Sequence, residues 1–105
     1  MKIAFFSYSA AGCDLAERIR WMCFPDEECR LFTITRLCTD SFEVVTDQSA
    51  ADIFNSYDAM IFVCAAGIAI RKIAPFVKDK KTDPAVICID EKGTFVIPLL
   101  SGHIG

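Results

Sequence analysis

Histidine occurs once in the 105-residue chain, at His103, and none of the six cysteines stands in a Cys-x-x-Cys pair. That scarcity leaves a zinc site without a ligand set, so no metal site is expected. Positive charge is also short, because 11 Lys and Arg stand against 14 Asp and Glu for a formal net charge of −3. A general nucleic-acid binder needs the opposite balance to neutralise phosphates, so nucleic acid is excluded as a partner. No apolar run is long enough to cross a bilayer, and no membrane partner is expected. The opening Lys2-Ile3-Ala4-Phe5-Phe6 is broken by Ser7, Tyr8 and Ser9, with Asp14 and Glu17 soon after, which is too short for the core of an export signal. Without export a secreted disulfide scaffold has no footing. The cysteines are therefore read as free thiols in a reducing cytoplasm. Cys64 and Cys88 lie inside apolar runs and read as small buried hydrophobes, and no cysteine has a histidine nearby in sequence to activate it. Repeats, linkers and low-complexity segments are absent.

What is present is 53% hydrophobic residues in a length that suits one domain. A chain of this size buries roughly 65% of its unfolded surface, enough for a core without staples. Lys2 to Ser7 reads as a strand, followed by the small-residue loop Ser9-Ala10-Ala11-Gly12 and a helix over Cys13 to Met22, with Leu15, Ile19 and Met22 on one face. Pro25 and Asp26-Glu27-Glu28 end that helix, and Arg30 to Thr35 reads as a second strand. A short strand is expected within Phe42 to Val45, and a helix over Gln48 to Tyr57. Ala59 to Ala65 is an uninterrupted apolar run of the kind found in central parallel strands buried on both faces. A helix from Ala66 to Ala74 follows, ended or kinked by Pro75. Asp79 to Asp83 reads as a charged loop, and Pro84 opens a strand over Ala85 to Ile89. Asp90 to Gly93 then turns into Thr94 to Ile97 as a β-hairpin, with Gly93 supplying positive φ. The alternation predicts an α/β three-layer sandwich with a mainly parallel central sheet and a C-terminal β-hairpin.

Two segments carry candidate chemistry. Ile97-Pro98-Leu99-Leu100-Ser101-Gly102-His103-Ile104-Gly105 runs an apolar strand into a glycine-flanked histidine. Gly102 and Gly105 allow close backbone approach, Ser101 is suited to cap a following helix, and His103 has the unperturbed pKa that suits an acid or base near neutrality. His103 is the catalytic candidate, its other roles being a hydrogen bond at the turn or a contact to a ligand carboxylate. Ser101 acts as a nucleophile only if a base activates it. Because no helix follows, residues 1–105 read as a single N-terminal domain excised from a longer protein. The second segment holds Arg71, Lys72, Lys78, Lys80 and Lys81, five of the 11 positive charges. It is either a solvated helix end or an electrostatic funnel for an acidic ligand. Arg71, read as early in its helix, is the candidate carboxylate clamp, and the backbone N–H groups around Ala66, Gly67 and Ile68 are candidate donors to a carboxylate or oxyanion. The plainer reading makes Gly67 a packing residue and Arg71 a surface one. Asp90 and Glu91 read as turn residues.

The order Gly67-Ile68-Ala69-Ile70-Arg71-Lys72-Ile73-Ala74-Pro75, then Asp83-Pro84-Ala85-Val86, then Asp90-Glu91-Lys92-Gly93, then Leu99-Leu100-Ser101-Gly102-His103-Ile104-Gly105 resembles the amino-terminal part of the cobalt-precorrin-5A hydrolases, also called cobalamin biosynthesis protein G. The resemblance is strong over Tyr57 to Gly105 and more diffuse before it. It implies opening of the δ-lactone of cobalt-precorrin-5A, a tetrapyrrole, with release of acetaldehyde to give cobalt-precorrin-5B. It also implies that cobalt arrives with the substrate, so no separate cofactor is expected, and that the central and C-terminal parts of the same protein are partners. The isolated segment is then expected to be inactive. A large, flat, carboxylate-rich substrate fits the basic segment, and Gly67, Ile68, Arg71, Ser101 and Gly102 are its candidate contacts.

Geometry restricts that assignment. If the strand at Ala85 is parallel to its neighbour, the hairpin sends Ser101 to Gly105 to the opposite end of the sheet from Arg71. The two segments then meet only through a fold-back of the chain or walls supplied from elsewhere. Two other function classes stay open: a non-catalytic tetrapyrrole-binding or docking module, and a flavodoxin-like domain in which Ser7 to Gly12 holds a nucleotide or flavin.

Overall fold

A computed structural model describes residues 1–102. Its centre is a six-stranded sheet in the order β3-β2-β1-β4-β5-β6, formed by β1 (Lys2–Ser7), β2 (Glu28–Thr33), β3 (Glu43–Val44), β4 (Ala59–Val63), β5 (Ala85–Ile89) and β6 (Val96–Ser101). The first five strands of that order run parallel, and β6 returns antiparallel to β5. Helix α1 (Ala10–Cys23) covers one face; α2 (Asp47–Ser56) and α3 (Ala66–Ile73) cover the other. The three-layer α/β arrangement with a C-terminal hairpin matches the sequence expectation.

Strand β1 shows why the sheet is buried on both sides. Ala4 and Phe6 face α2 and α3, while Ile3 and Phe5 face α1, and all four are essentially inaccessible. Side chains alternate across a strand, so an unbroken apolar run demands cover on each face. Phe6 sits in register between Phe32 and Phe62 and stacks on both, at centroid distances of 5.0 and 4.8 Å. The helix on the opposite face lies unusually close to the sheet: a Cβ on Gly12 would fall 2.8 Å from the Val63 carbonyl oxygen.

Several boundaries moved, three of them for a hydrogen bond that can be named. Helix α1 starts at Ala10, inside the expected loop, because Ser9 Oγ accepts the Gly12 N–H at 3.0 Å and caps the first turn. Strand β2 begins at Glu28, whose N–H donates to the Met1 carbonyl at 3.2 Å, and Lys2 pairs with Glu28, so the ladder recruits residues too polar to read as a core strand. It ends at Thr33, and Thr35–Leu37 form a 3-10 turn. Strand β4 stops at Val63 rather than Ala65. The hairpin strand starts at Val96 and reaches Ser101, later and longer than expected. Asp90 is responsible: its carboxylate accepts the Phe95 N–H at 2.6 Å and the Lys92 N–H at 3.3 Å, which holds 90–95 together as a turn.

Asp83, the last residue of the expected charged loop, is buried, at 5% exposed. Its carboxylate accepts the Lys78 N–H at 2.8 Å and the Asp79 N–H at 3.2 Å, closing the loop ahead of β5. Asp83→Ala leaves those two donors without their acceptor, and the expected loss is about 1–3 kcal/mol of stability, read as a fall in the urea midpoint at constant m-value.

Candidate functional site

The order of the sheet reverses between β1 and β4, and in open α/β sheets ligands favour the carboxyl ends of the strands at such a point. β4 leads there through Cys64 and Ala65 into α3, whose last turn is basic with Arg71 and Lys72. Across from it stands the first turn of α2, fixed by a reciprocal Thr46–Ser49 capping box. Between the two helices lies an open groove of ≈ 600 Å³ whose lining includes Asp47, Ala50, Ile68, Arg71, Lys72 and Phe76. Two cations and one carboxylate thus sit on largely apolar walls. Neither Arg71 nor Lys72 enters a salt bridge among the described residues.

Arg71 is the sixth of the eight residues of α3, not an early one as the sequence suggested. Side chains on a helix tilt toward its N-terminus, so residue i+4 reaches back over residue i. A Cβ on Gly67 would accordingly meet Arg71 Nη1, at 3.7 Å, and, its chain neighbours and its own helix backbone aside, no other described atom within 4 Å. Gly67 is therefore not required for close packing; it leaves open space beside the guanidinium. Of the proposed backbone donors, the Ile68 N–H is already committed to the Ala65 carbonyl at 3.0 Å.

Lys72 Nζ lies 5.7 Å from the centre of the Tyr8 ring, a cation–π approach at the end of β1. Sequence reasoning placed Tyr8 only in the nucleotide-loop alternative and passed over the wall contributed by α2, since nothing in their local pattern links them to α3. The Tyr8 hydroxyl is buried without a hydrogen-bond partner among the described residues, and burial raises its pKa above the ordinary phenol value.

Ser101 and Gly102 lie elsewhere. Strand β5 is parallel to β4 and β6 returns, so Ser101 pairs with Ala85 at the amino end of β5. Ser101 is the last residue of a strand in this arrangement. With Gly102 it lines a nearly apolar cavity of ≈ 220 Å³ against Ile3, Ala59 and Ala85, at the other end of the sheet from the groove. The conditional expectation that the two segments part is met for these residues. His103 falls outside the described residues.

The remaining candidates separate cleanly. Burial pushes the Cys64 thiol up to about 12 and raises Cys88 as well, which leaves both protonated near neutrality and unsuited to attack. All six cysteines are free. The nucleotide-loop reading loses a donor, because the Gly12 N–H is taken by its own cap, Ser9. Among the described residues no group of three or more His, Cys, Asp or Glu is placed to hold a metal, and no helix is long and apolar enough to cross a membrane.

Residues 48–105 match the family described as cobalamin synthesis G N-terminal. The chain belongs to this family. It is 42% identical over 107 residues to a cobalt-precorrin-5A hydrolase of Salmonella typhimurium, covering 98% of this chain and 29% of that protein. A cobalt-precorrin-5A hydrolase of Priestia megaterium is 57% identical over 53 residues, covering 50% of this chain and 14% of that one. In structure the chain is similar to a crystallised cobalamin biosynthesis protein G homologue from Sulfolobus solfataricus, with a TM-score of 0.73 and 30% identity over 96% of this chain and 29% of the other. The chain thus spans under a third of the length of these relatives.

Proposed function

We propose that this chain is the substrate-holding N-terminal part of a cobalt-precorrin-5A hydrolase, a protein of the reducing cytoplasm that opens the δ-lactone of cobalt-precorrin-5A and releases acetaldehyde to give cobalt-precorrin-5B. The observation that carries this reading is the groove between α2 and α3, where Arg71 and Lys72 stand side by side on apolar walls. A tetrapyrrole is a flat apolar ring with carboxylates on its rim, and these walls and cations are complementary to one edge of it. Arg71 would take a rim carboxylate in a bidentate fork and Lys72 a second one as a point charge. Asp47 on the facing helix would disfavour a third carboxylate and so orient the ring. Cobalt enters with the substrate, and this part of the protein is assigned no cofactor of its own.

His103 remains the proposed acid or base for lactone opening, with the rest of the protein supplying the other wall. The placement of Ser101 and Gly102 far from the groove also favours a second reading, in which this domain only binds the substrate and the chemistry is carried elsewhere.

The test replaces the matching segment of the Salmonella relative with residues 1–105 and follows binding of cobalt-precorrin-5A and release of acetaldehyde. The chimera is expected to turn over, and Arg71→Ala to weaken binding about 10- to 100-fold, the equivalent of one charge-assisted hydrogen bond. His103→Ala is expected to bind normally and lose rate; normal turnover there selects the binding-only reading. A folded chimera whose affinity is unaffected by loss of both Arg71 and Lys72 would refute the groove assignment.

A further inference from the structure

The two faces of the sheet are unequally covered. α3 packs on β5 from one side, whereas on the other side α1 lies over β1, β2 and β4, buries Ile89 of β5, leaves Ile87 half-buried and does not cover β6. Val96 pairs with Ile89 and Pro98 with Ile87, so these residues share that side. Val96 is 62% exposed and the adjacent Phe95 66%. The apolar cavity lined by Ile3, Phe24, Ile61 and Ile87 opens on the same side.

β6 is also an edge strand of six residues, Val96-Ile97-Pro98-Leu99-Leu100-Ser101, without a single charge. Soluble proteins commonly blunt a free edge with charged side chains, because unpaired N–H and C=O groups invite pairing with another chain. Here Pro98 alone interrupts the edge. Such a strand belongs under cover.

We infer that the β5–β6 end of the α1-side face is the docking surface for the polypeptide that follows this region in the longer relatives. Length supports that occupant: the matched region is 29% of the Salmonella protein, and the family is defined as N-terminal. Position supports it too. Ser101 and Gly102, the last described residues, line the cavity on this same side of the sheet, so the covalent connection to any following segment starts beside the uncovered face. The contact chemistry required is an apolar helix or strand face set against Val96, Pro98 and Ile87.

The chimera with the remainder of the Salmonella protein provides the test. In a Cys23→Ser background, Val96→Cys and Glu91→Cys are labelled separately with a maleimide and located by mass spectrometry. Val96→Cys is expected to react about tenfold more slowly than Glu91→Cys, since protection follows burial. Hydrogen exchange on the unsubstituted chimera gives a second reading free of any folding defect in the variants, with slow exchange expected across residues 96–101. Equal labelling together with rapid exchange along β6 overturns the inference. Protection that disappears on dilution, with a dimer mass at high concentration, assigns the face to a second copy and overturns it equally.

Discussion

Phe6→Ala is expected to lower stability by about 3–5 kcal/mol, the largest effect of any single core truncation here. Phe6 is 1% exposed and occupies the middle of the row Phe32–Phe6–Phe62, with interplanar angles of 11° and 16° to its neighbours. Truncation removes both stacked pairs, each worth about 0.5–1.5 kcal/mol beyond area burial, and opens a cavity flanked by two rings that parallel-strand pairing holds in place. Phe32 and Phe62 stay anchored on strands paired to β1, so their rings close the gap only as far as their χ angles allow. Since a small domain is stable by only about 5–15 kcal/mol, the loss takes much of the margin. Thermal unfolding followed by circular dichroism is expected to show Tm lowered by at least about 12 °C. A drop under about 1 kcal/mol would mean that the three rings do not form a packed row.

Gly102→Ala is expected to cost about 2–4 kcal/mol, from a left-handed backbone and an overpacked contact together. Gly102 has φ 78°, and a Cβ there would lie 2.9 Å from the Ala85 backbone nitrogen and 3.1 Å from its Cβ. Ala85 cannot retreat freely, because its N–H donates to the Asp58 carbonyl at 3.0 Å and so ties the start of β5 to the start of β4. Gly67→Ala is the contrasting substitution. Its Cβ meets nothing closer than Arg71 Nη1, so the expected change is a gain of about 0.4–1 kcal/mol from the stiffer unfolded chain. Denaturant titration of the two variants separates them by sign. If Gly67→Ala weakens substrate binding in the chimera while raising stability, the space beside Arg71 is part of the ligand site.

These glycines show how far residue type carries and where it stops. Gly67 and Gly102 both read in the sequence as contacts for a ligand. The structure gives one of them open space beside a guanidinium and the other a backbone obligation at the joint of two strands. The distinction depends on Ala85, 17 positions before Gly102, and no local pattern contains it. Arg71 was identifiable as a carboxylate-binding residue type, yet its partner surface comes from Asp47 and Ala50 on another helix, brought close only because α2 and α3 share one side of the sheet.

The elements themselves were legible because each rests on short-range physics. Apolar runs at Lys2–Ser7, Ala59–Val63 and Ala85–Ile89 alternate with helices of amphipathic spacing, and alternation of that kind commits a chain to a covered parallel sheet. Boundaries shifted wherever a hydrogen bond outranked composition, as at Ser9, Glu28 and Asp90. The sequence alone thus determined the α/β architecture, the β5–β6 reversal and the family motifs, since these follow from periodicity, turn residues and ordered local patterns. Tertiary structure alone decided which candidates share a cavity, that Asp83 is a buried acceptor, and which face of β6 lies uncovered. Those properties depend on strand order and on which side each crossover places its helix, and contacts between distant residues form only once that order is set.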